Sequence, residues 1–214
     1  MAHAGHHSHS VKLVREAAHY DRAYFDRWYR HPAHRVKSQQ YLARQVAFVV
    51  GVAEYLLERR ITSVLDVGAG EGNWRPLLRR MRPGLRYYGV DPSEYAVRRY
   101  GRRRNIQQGS FANLRDLKLP RVFDLVISCG VLNYVADREV HAGLKALRDL
   151  ARGPIYIEIF TREDEAEGDF QRRAAKPSAW YRRAMNKAGL IACGLHFYVP
   201  KERKHLTAAL ERAR

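Results

Sequence analysis

The sequence predicts an α/β fold: a doubly wound, mostly parallel sheet preceded by a helical cap. Three observations carry this. From residue 61 onward, strand-length apolar runs alternate with glycine turns and helix-length amphipathic segments, the spacing of crossover connections between parallel strands. The run "VFDLVISC" is almost continuously apolar, as a strand covered on both faces should be. Before residue 61 the apolar residues recur at helical spacing instead.

Taken in order, residues 1–10, "MAHAGHHSHS", read as a disordered His-rich tail; they lack the basic start and apolar stretch of a secretory signal. Neutral imidazoles ligate metals, but no cysteine or carboxylate accompanies these, so no metal site is expected. The helical cap spans 11–60. Its first helix covers 11–30, Pro32 in "HPAHRVK" breaks it, and a second covers 38–60 with Ser38 as N-cap.

The domain proper spans 61–214. A first strand over 61–67 runs into a glycine turn, and a helix over 73–81 stops before Pro83 and Gly84. A second strand over 85–91 leads to a helix from Ser93 to about Tyr100, and "NIQQGS" makes a short third strand. The fourth strand covers 122–129, Asp137 caps a helix running to 151, and the fifth strand covers 154–160. After an acidic loop, Ser178 caps a helix that Gly189 closes, and "LIACGLHFYV" reads as one further strand. The tail "KERKHLTAALERAR" has two readings: Leu206 and Leu210 suit a helix, whereas "HLTAALE" suits a last antiparallel strand, the reading preferred here.

Composition narrows the class. With 214 residues and 46% hydrophobic content the chain can bury one substantial core. Cys129 and Cys193 are the only cysteines, which gives no disulfide framework and suits a reducing cytoplasm. The longest apolar run, 46–57, contains Glu54 and falls short of the roughly 20 residues that span a bilayer.

The segment "SVLDVGAGEGNW" places Gly68, Gly70 and Gly72 directly behind the first strand. Bare glycines let such a loop turn tightly into a helix and let a ligand approach main-chain N–H groups. Asp91 ends the second strand 23 residues after Gly68, where a carboxylate can accept both ribose hydroxyls. Loop and distal acid together point to an adenosine-bearing cofactor. A dinucleotide fingerprint would need glycine at position 73, which is Asn73, and no Walker A lysine occurs.

The ordered set "VLDVGAGEG", "YYGVDPSE", "NIQQGSF" and "FDLVISCGVLNYV" resembles the class I S-adenosylmethionine-dependent methyltransferases, over roughly residues 60–200. The resemblance implies a Rossmann-like sheet, S-adenosylmethionine as donor and S-adenosylhomocysteine as product. It implies that Gly68, Ala69 and Gly70 line the methionine moiety, with Asp66 holding the loop and the methionine ammonium. Asp91 would bind the ribose, Pro92 would lie along the adenosine, and Ser110 and Phe111 would border the adenine. Ser110 stands where many relatives carry Asp. The main chain at Cys129 and Gly130 would complete the methionine pocket.

Methyl transfer from a sulfonium is an in-line displacement, so the enzyme chiefly aligns the acceptor and excludes water. A base helps where the acceptor must lose a proton. Glu158, between Ile157 and Ile159, is one candidate, since burial would raise its pKa; the alternative is a hydrogen-bonded structural carboxylate. Asn133 and Tyr134 follow the fourth strand, where they either face the transferred methyl or pack the helix entry. His196 is a substrate-side candidate or a core or edge histidine. Tyr20, Tyr24 and Trp28 recur at i, i+4, i+8, a stripe that can close over sulfonium and acceptor or glue the cap to the sheet.

The net charge of +17 raises the question of nucleic acid. The densest clusters, Arg98, Arg99, Arg102, Arg103 and Arg104, and Arg79, Arg80 and Arg82, fall at helix C-termini, which crossover geometry sets opposite the cofactor. Only Arg22, Arg27, Arg30 and Arg35, with Arg162, Arg172 and Arg173, would remain near the chemistry. The expectation is therefore methylation of a small-molecule acceptor by a cytoplasmic monomer or homodimer with no membrane partner. Methylation of RNA or a protein side chain, or cofactor binding without turnover, are the alternatives.

Overall fold

The computed structural model describes residues 20–165 and 176–212. Within them seven strands form one sheet: β1 Ser63–Val67, β2 Arg86–Asp91, β3 Ile106–Gln108, β4 Leu125–Cys129, β5 Ile155–Glu158, β6 Leu190–Gly194 and β7 Phe197–Pro200. Their order is β3-β2-β1-β4-β5-β7-β6, parallel through β5, with β7 antiparallel to both neighbours. The expected doubly wound, mostly parallel sheet is the one found. The order reverses between β1 and β4, the place where such sheets open a ligand crevice.

Six helices are described: α1 Arg22–Phe25, α2 Gln39–Leu57, α3 Trp74–Met81, α4 Glu94–Arg104, α5 Asp137–Leu150 and α6 Ser178–Ala188. Alternation along the strands sorts them into two layers. Val64, Leu125, Ile127 and Tyr156 pack with Val46, Val49, Val50 and Ala53 of α2 and with Trp74 and Leu78 of α3. Leu65, Val67, Val126, Ile155 and Ile157 point the other way, against Leu144 and Leu147 of α5 and Ala184 and Met185 of α6. The same period of two puts Asp66, Cys129 and Glu158 on the α2–α3 face at the carboxyl ends of β1, β4 and β5.

At the amino end of the sheet Asp124, 0% exposed, gathers the chain. Its carboxylate accepts from Arg59 Nη2 at 2.7 Å, from the Thr62 backbone at 2.7 Å and hydroxyl at 2.8 Å, and from Arg152 Nη2 at 2.6 Å. The end of α2, the entry to β1 and the entry to β5 meet there.

Several boundaries depart from expectation. The first cap helix is expected over 11–30, of which 11–19 lies outside the described residues, as does the tail 1–10. Among the described part, α1 is one turn capped by Asp21, and Asp26–Arg30 continues it as a wider π-helical turn. Ser38 caps α2 as expected, its Oγ accepting from Tyr41 N–H. Helix α4 runs on to Arg104 and stops where Asn105 takes a left-handed φ of 53°. Asp137 and Ser178 are first residues rather than caps; Ala136 and Pro177 hold the extended cap positions. "LIACGLHFYV" is two strands, because the chain reverses through Gly194, Leu195 and His196, all at positive φ. That hairpin supplies the antiparallel strand expected of the tail, which forms 3₁₀ turns at Lys201–Leu206 and Ala209–Glu211.

Candidate active site

The glycine loop turns because its glycines adopt positive φ: 77° at Gly68, 54° at Gly70 and 71° at Gly72. At Gly68 the fit is tight as well, since an added Cβ would meet Val131 Cγ2 at 2.1 Å. The loop is held from β2, with Gly68 and Ala69 N–H donating to Val90 O at 2.8 and 3.1 Å and Gly70 N–H to Asp91 Oδ2 at 2.6 Å. Asp91 Oδ1 accepts from Ser93 N–H at 2.9 Å. Burial pushes the Asp91 carboxyl up to about 6 against the pull of those two N–H donors.

Asp66, next to last in β1, is 3% exposed. Tyr87 OH donates to its Oδ2 at 2.6 Å, and among the described residues no hydrogen bond reaches Oδ1. Burial pushes this carboxyl up to about 7, Tyr87 lowers it and the Asp91 charge raises it. The Tyr87 phenol is driven well above its usual range by burial and by Asp66.

A cavity of about 660 Å³ opens over these strand ends. Of the expected site residues, Asp66, Gly68, Ala69, Cys129, Gly130, Asn133, Tyr134, Glu158, Tyr24 and Trp28 line it. Val36 and Leu42 with Trp74 and Leu77 give it an apolar wall, drawn from the approach to α2, from α2 and from α3. Burial pushes the Cys129 thiol well up, so the group is neutral.

Glu158 closes the far side. It is 5% exposed and sits in a network: Lys37 Nζ donates to Oε2 at 2.5 Å, and Gln45 Nε2 to Oε1 at 3.2 Å and to Tyr156 OH at 3.0 Å. Lys37 also reaches Gln45 Oε1 at 2.9 Å. The carboxylate is therefore ion-paired to the cap. The Asn133 amide reaches the backbone of Phe160, donating to its O at 2.5 Å and accepting from its N–H at 3.3 Å, which fastens the β4 exit to the β5 exit.

Other expected residues stand elsewhere. Phe111 is in the opposite core layer, packed on Gly143 of α5, where an added Cβ would meet its ring at 2.0 Å. Ser110 is a cap whose N–H donates to Asn113 Oδ1 at 2.7 Å. Pro92, Gly70 and Asp91 do not line the cavity. His196 is exposed at the hairpin reversal, its ring edge-on to Tyr156 at 5.9 Å and outside the cavity. Tyr20 precedes α1, and its carbonyl accepts from Ser93 Oγ at 2.5 Å.

Four residues with central places are absent from the sequence reading, Phe25, Tyr29, Lys37 and Glu71, while Arg30, expected near the chemistry, lines the cavity. Phe25, 2% exposed, stacks among Tyr29 and Tyr95 at 5.0 and 5.6 Å, directly over Gly70. Burial and the nearby Asp91 push the Tyr29 phenol upward. Arg30 ties this aromatic strap down through an ion pair with the buried Glu71. The i, i+4 spacing of Phe25 and Tyr29 is as visible in the sequence as that of Tyr24 and Trp28. Nothing local marks Lys37 or Glu71.

No curated protein matches the chain significantly. Several solved structures resemble it. Magnesium protoporphyrin IX methyltransferase from Synechocystis PCC 6803, solved with bound S-adenosylhomocysteine, superposes with a TM-score of 0.60 at 21% identity, over 84% of this chain and 90% of that one. DesVI of Streptomyces venezuelae gives 0.60 at 16%, over 74% and 92%. The sugar N-methyltransferase KedS8 from Streptoalloteichus sp ATCC 53650 gives 0.59 at 18%, over 73% and 86%. These likenesses establish the fold. The family model described as methyltransferase domain matches residues 25–212, and with most of the sequence accounted for in this way the chain belongs to the methyltransferase domain family, among the class I S-adenosylmethionine-dependent methyltransferases.

Proposed function

We propose that this methyltransferase moves the methyl group of S-adenosylmethionine to a small-molecule acceptor held in the cavity between α2 and α3. The observation that supports this is the continuity of one cavity from Asp66, Gly68 and Gly130 to the apolar wall of Val36, Leu42, Trp74 and Leu77. A volume of about 660 Å³ is of the size that accepts small ligands. The similar structures named for porphyrin and sugar methylation fit the same class of acceptor.

The residues present fit the methionine end of the cofactor. Gly130 stands at φ 67° with open space where a Cβ would be, a bare stretch of backbone at the β4 exit. Asp66 lines the same cavity, its Oδ1 receives no hydrogen bond from the described residues, and the carboxylate can take an ammonium. When bound, S-adenosylmethionine supplies an activated methyl on a sulfonium. The chain supplies position and dryness: Trp28 and Trp74 wall the site, and the Asn133–Phe160 clasp fixes the rim. Asp91 as ribose ligand requires the Phe25–Tyr29 strap to lift from Gly70, which makes Tyr24 and Trp28 part of a lid. Glu158 acts as a base only for an acceptor that draws Lys37 away from it.

Incubation with methyl-labelled S-adenosylmethionine and a fractionated metabolite pool tests the reading. Label in a low-mass product supports it. Label only in macromolecules, or in nothing while S-adenosylhomocysteine still binds, refutes it.

A further inference from the structure

The wall formed by α3 and α4 carries charge that methyl transfer does not use. Tyr100 sits at its centre, with the guanidinium carbons of Arg104 and Arg99 at 4.6 and 5.7 Å from its ring centroid. Arg30 Nη2 donates to its hydroxyl at 3.2 Å. Arg75, one turn before Arg79 on α3, is half-buried; burial and then the charges of Arg79 and Arg104 push its pKa down. Among the described residues, only Arg30 of these five pairs with carboxylates, those of Asp26 and Glu71. Arg104 spends Nη1 on neutral acceptors, Glu71 O at 2.5 Å and Asn73 Oδ1 at 2.9 Å, and Arg79 reaches Pro83 O at 3.4 Å.

Three guanidiniums, Arg75, Arg79 and Arg104, thus act on one another: Arg75 and Arg79 are one turn apart on α3, Arg104 is tied to Asn73 at the head of that helix, and none of the three pairs with a carboxylate among the described residues. The glycine loop passes close beside this end of α4: a Cβ added at Gly72 would meet Ile106 Cδ1 at 2.8 Å and touch the Arg104 stem at 3.4 Å. The cluster touches the cavity through Arg104, which lines it beside Tyr100, Arg30 and Arg80. This corrects the expectation for two of the clustered arginines, Arg80 and Arg104, which line the cavity; α4 runs far enough for its last residue to reach back to the glycine loop. Planar guanidinium forks match the oxygens of a phosphate two at a time, and a dianion relieves the repulsion of several at once.

We propose that Arg75, Arg79 and Arg104, beside Tyr100, form a phosphate-binding subsite that anchors the methyl acceptor through a phosphate ester while its reactive end lies in the cavity. The acceptor role rests on the methyl-transfer reading; the phosphate site does not. Calorimetry on the full chain, with inorganic pyrophosphate as probe and S-adenosylhomocysteine titrated separately, tests the two apart. The expected result is saturable pyrophosphate binding that falls about tenfold in Arg75→Gln/Arg79→Gln with S-adenosylhomocysteine affinity unchanged. The control Arg98→Gln/Arg102→Gln removes the same charge from exposed positions of α4 and should leave pyrophosphate binding within about twofold.

Absent saturation, or equal losses from both pairs, overturns the subsite. Loss of S-adenosylhomocysteine binding with pyrophosphate binding retained would sink the methyl-transfer reading and leave the subsite standing. A random ribo-oligonucleotide identifies the source of the phosphate. Binding at least about tenfold tighter than pyrophosphate, with a steep salt dependence lost in the Arg75/Arg79 variant, assigns it to nucleic acid; otherwise it belongs to a small phosphate ester.

Discussion

Asp66 offers the sharpest test, because its carboxyl is pushed from 3.8 up to about 7 on folding. The folded state holds the proton more tightly than the unfolded one, so Asp66 favours folding fully below 3.8, and that contribution is lost as pH climbs to about 7. The shift is about three pH units at about 1.4 kcal/mol each, hence a cost of about 4 kcal/mol to the cofactor-free protein above neutrality. Asp66→Asn keeps the shape and an oxygen for Tyr87 OH but cannot ionise. In urea unfolding, the stability of the variant relative to the parent should grow by roughly 2–3 kcal/mol from about pH 5 to about pH 8, mostly below about pH 7. Affinity for S-adenosylhomocysteine, whose ammonium needs the carboxylate, should rise with pH over the same range more steeply in the parent than in the variant, which keeps only the titration of Asp91. Parallel stability curves, or equal pH profiles of affinity, would refute the assignment of the buried proton to Asp66.

Further outcomes follow from other contacts. Gly68→Ala forces a Cβ to 2.1 Å from Val131 Cγ2 at a φ of 77°; it should abolish S-adenosylhomocysteine binding by calorimetry, and Val131→Ala in addition should restore part of it. Arg30→Gln leaves the buried Glu71 unpaired, so stability should drop by about 1–3 kcal/mol and proteases should cut earlier near residues 20–35; Glu71→Gln in the same chain should recover the stability. Asn133→Ala unties Phe160 and should lower kcat with little change in S-adenosylhomocysteine affinity, since the clasp sets the acceptor rim. For Glu158→Gln, a fall in kcat that steepens with a more basic acceptor hydroxyl supports a base, whereas a uniform fall marks the Lys37 network as structural.

The sheet was legible because its signals are local. Apolar runs, the capping Ser38, the C-capping Gly189 and the glycine cluster each act within a few residues, and the fold obeys them. Period-two alternation even places Asp66, Cys129 and Glu158 on one face. What escaped is what depends on contacts across the chain. Lys37 meets Glu158 over 121 residues and Arg30 meets Glu71 over 41, and neither spacing leaves a trace in composition. The single strand expected over 190–199 failed at Leu195 and His196, which take left-handed φ without a glycine's freedom; only Gly194 hinted at the reversal. Phe111 reads as a motif aromatic, yet Gly143, 32 positions later, offers the gap that draws it into the core.

The two ends of the sheet respond to acid in opposite senses. Although burial pushes Asp124 upward, the donors Arg59, Thr62 and Arg152 hold its carboxyl well below the usual range, so the knot at the amino end depends on a negative charge. Asp66 and Asp91, at the carboxyl end, are raised and lose nothing by taking up protons. Acidification therefore relaxes the catalytic rim while it undermines the frame beneath, and base does the reverse. Such a molecule should come apart from its foundation in acid and from its working surface in alkali, two unfolding routes that amide hydrogen exchange would tell apart by which strand ends open first.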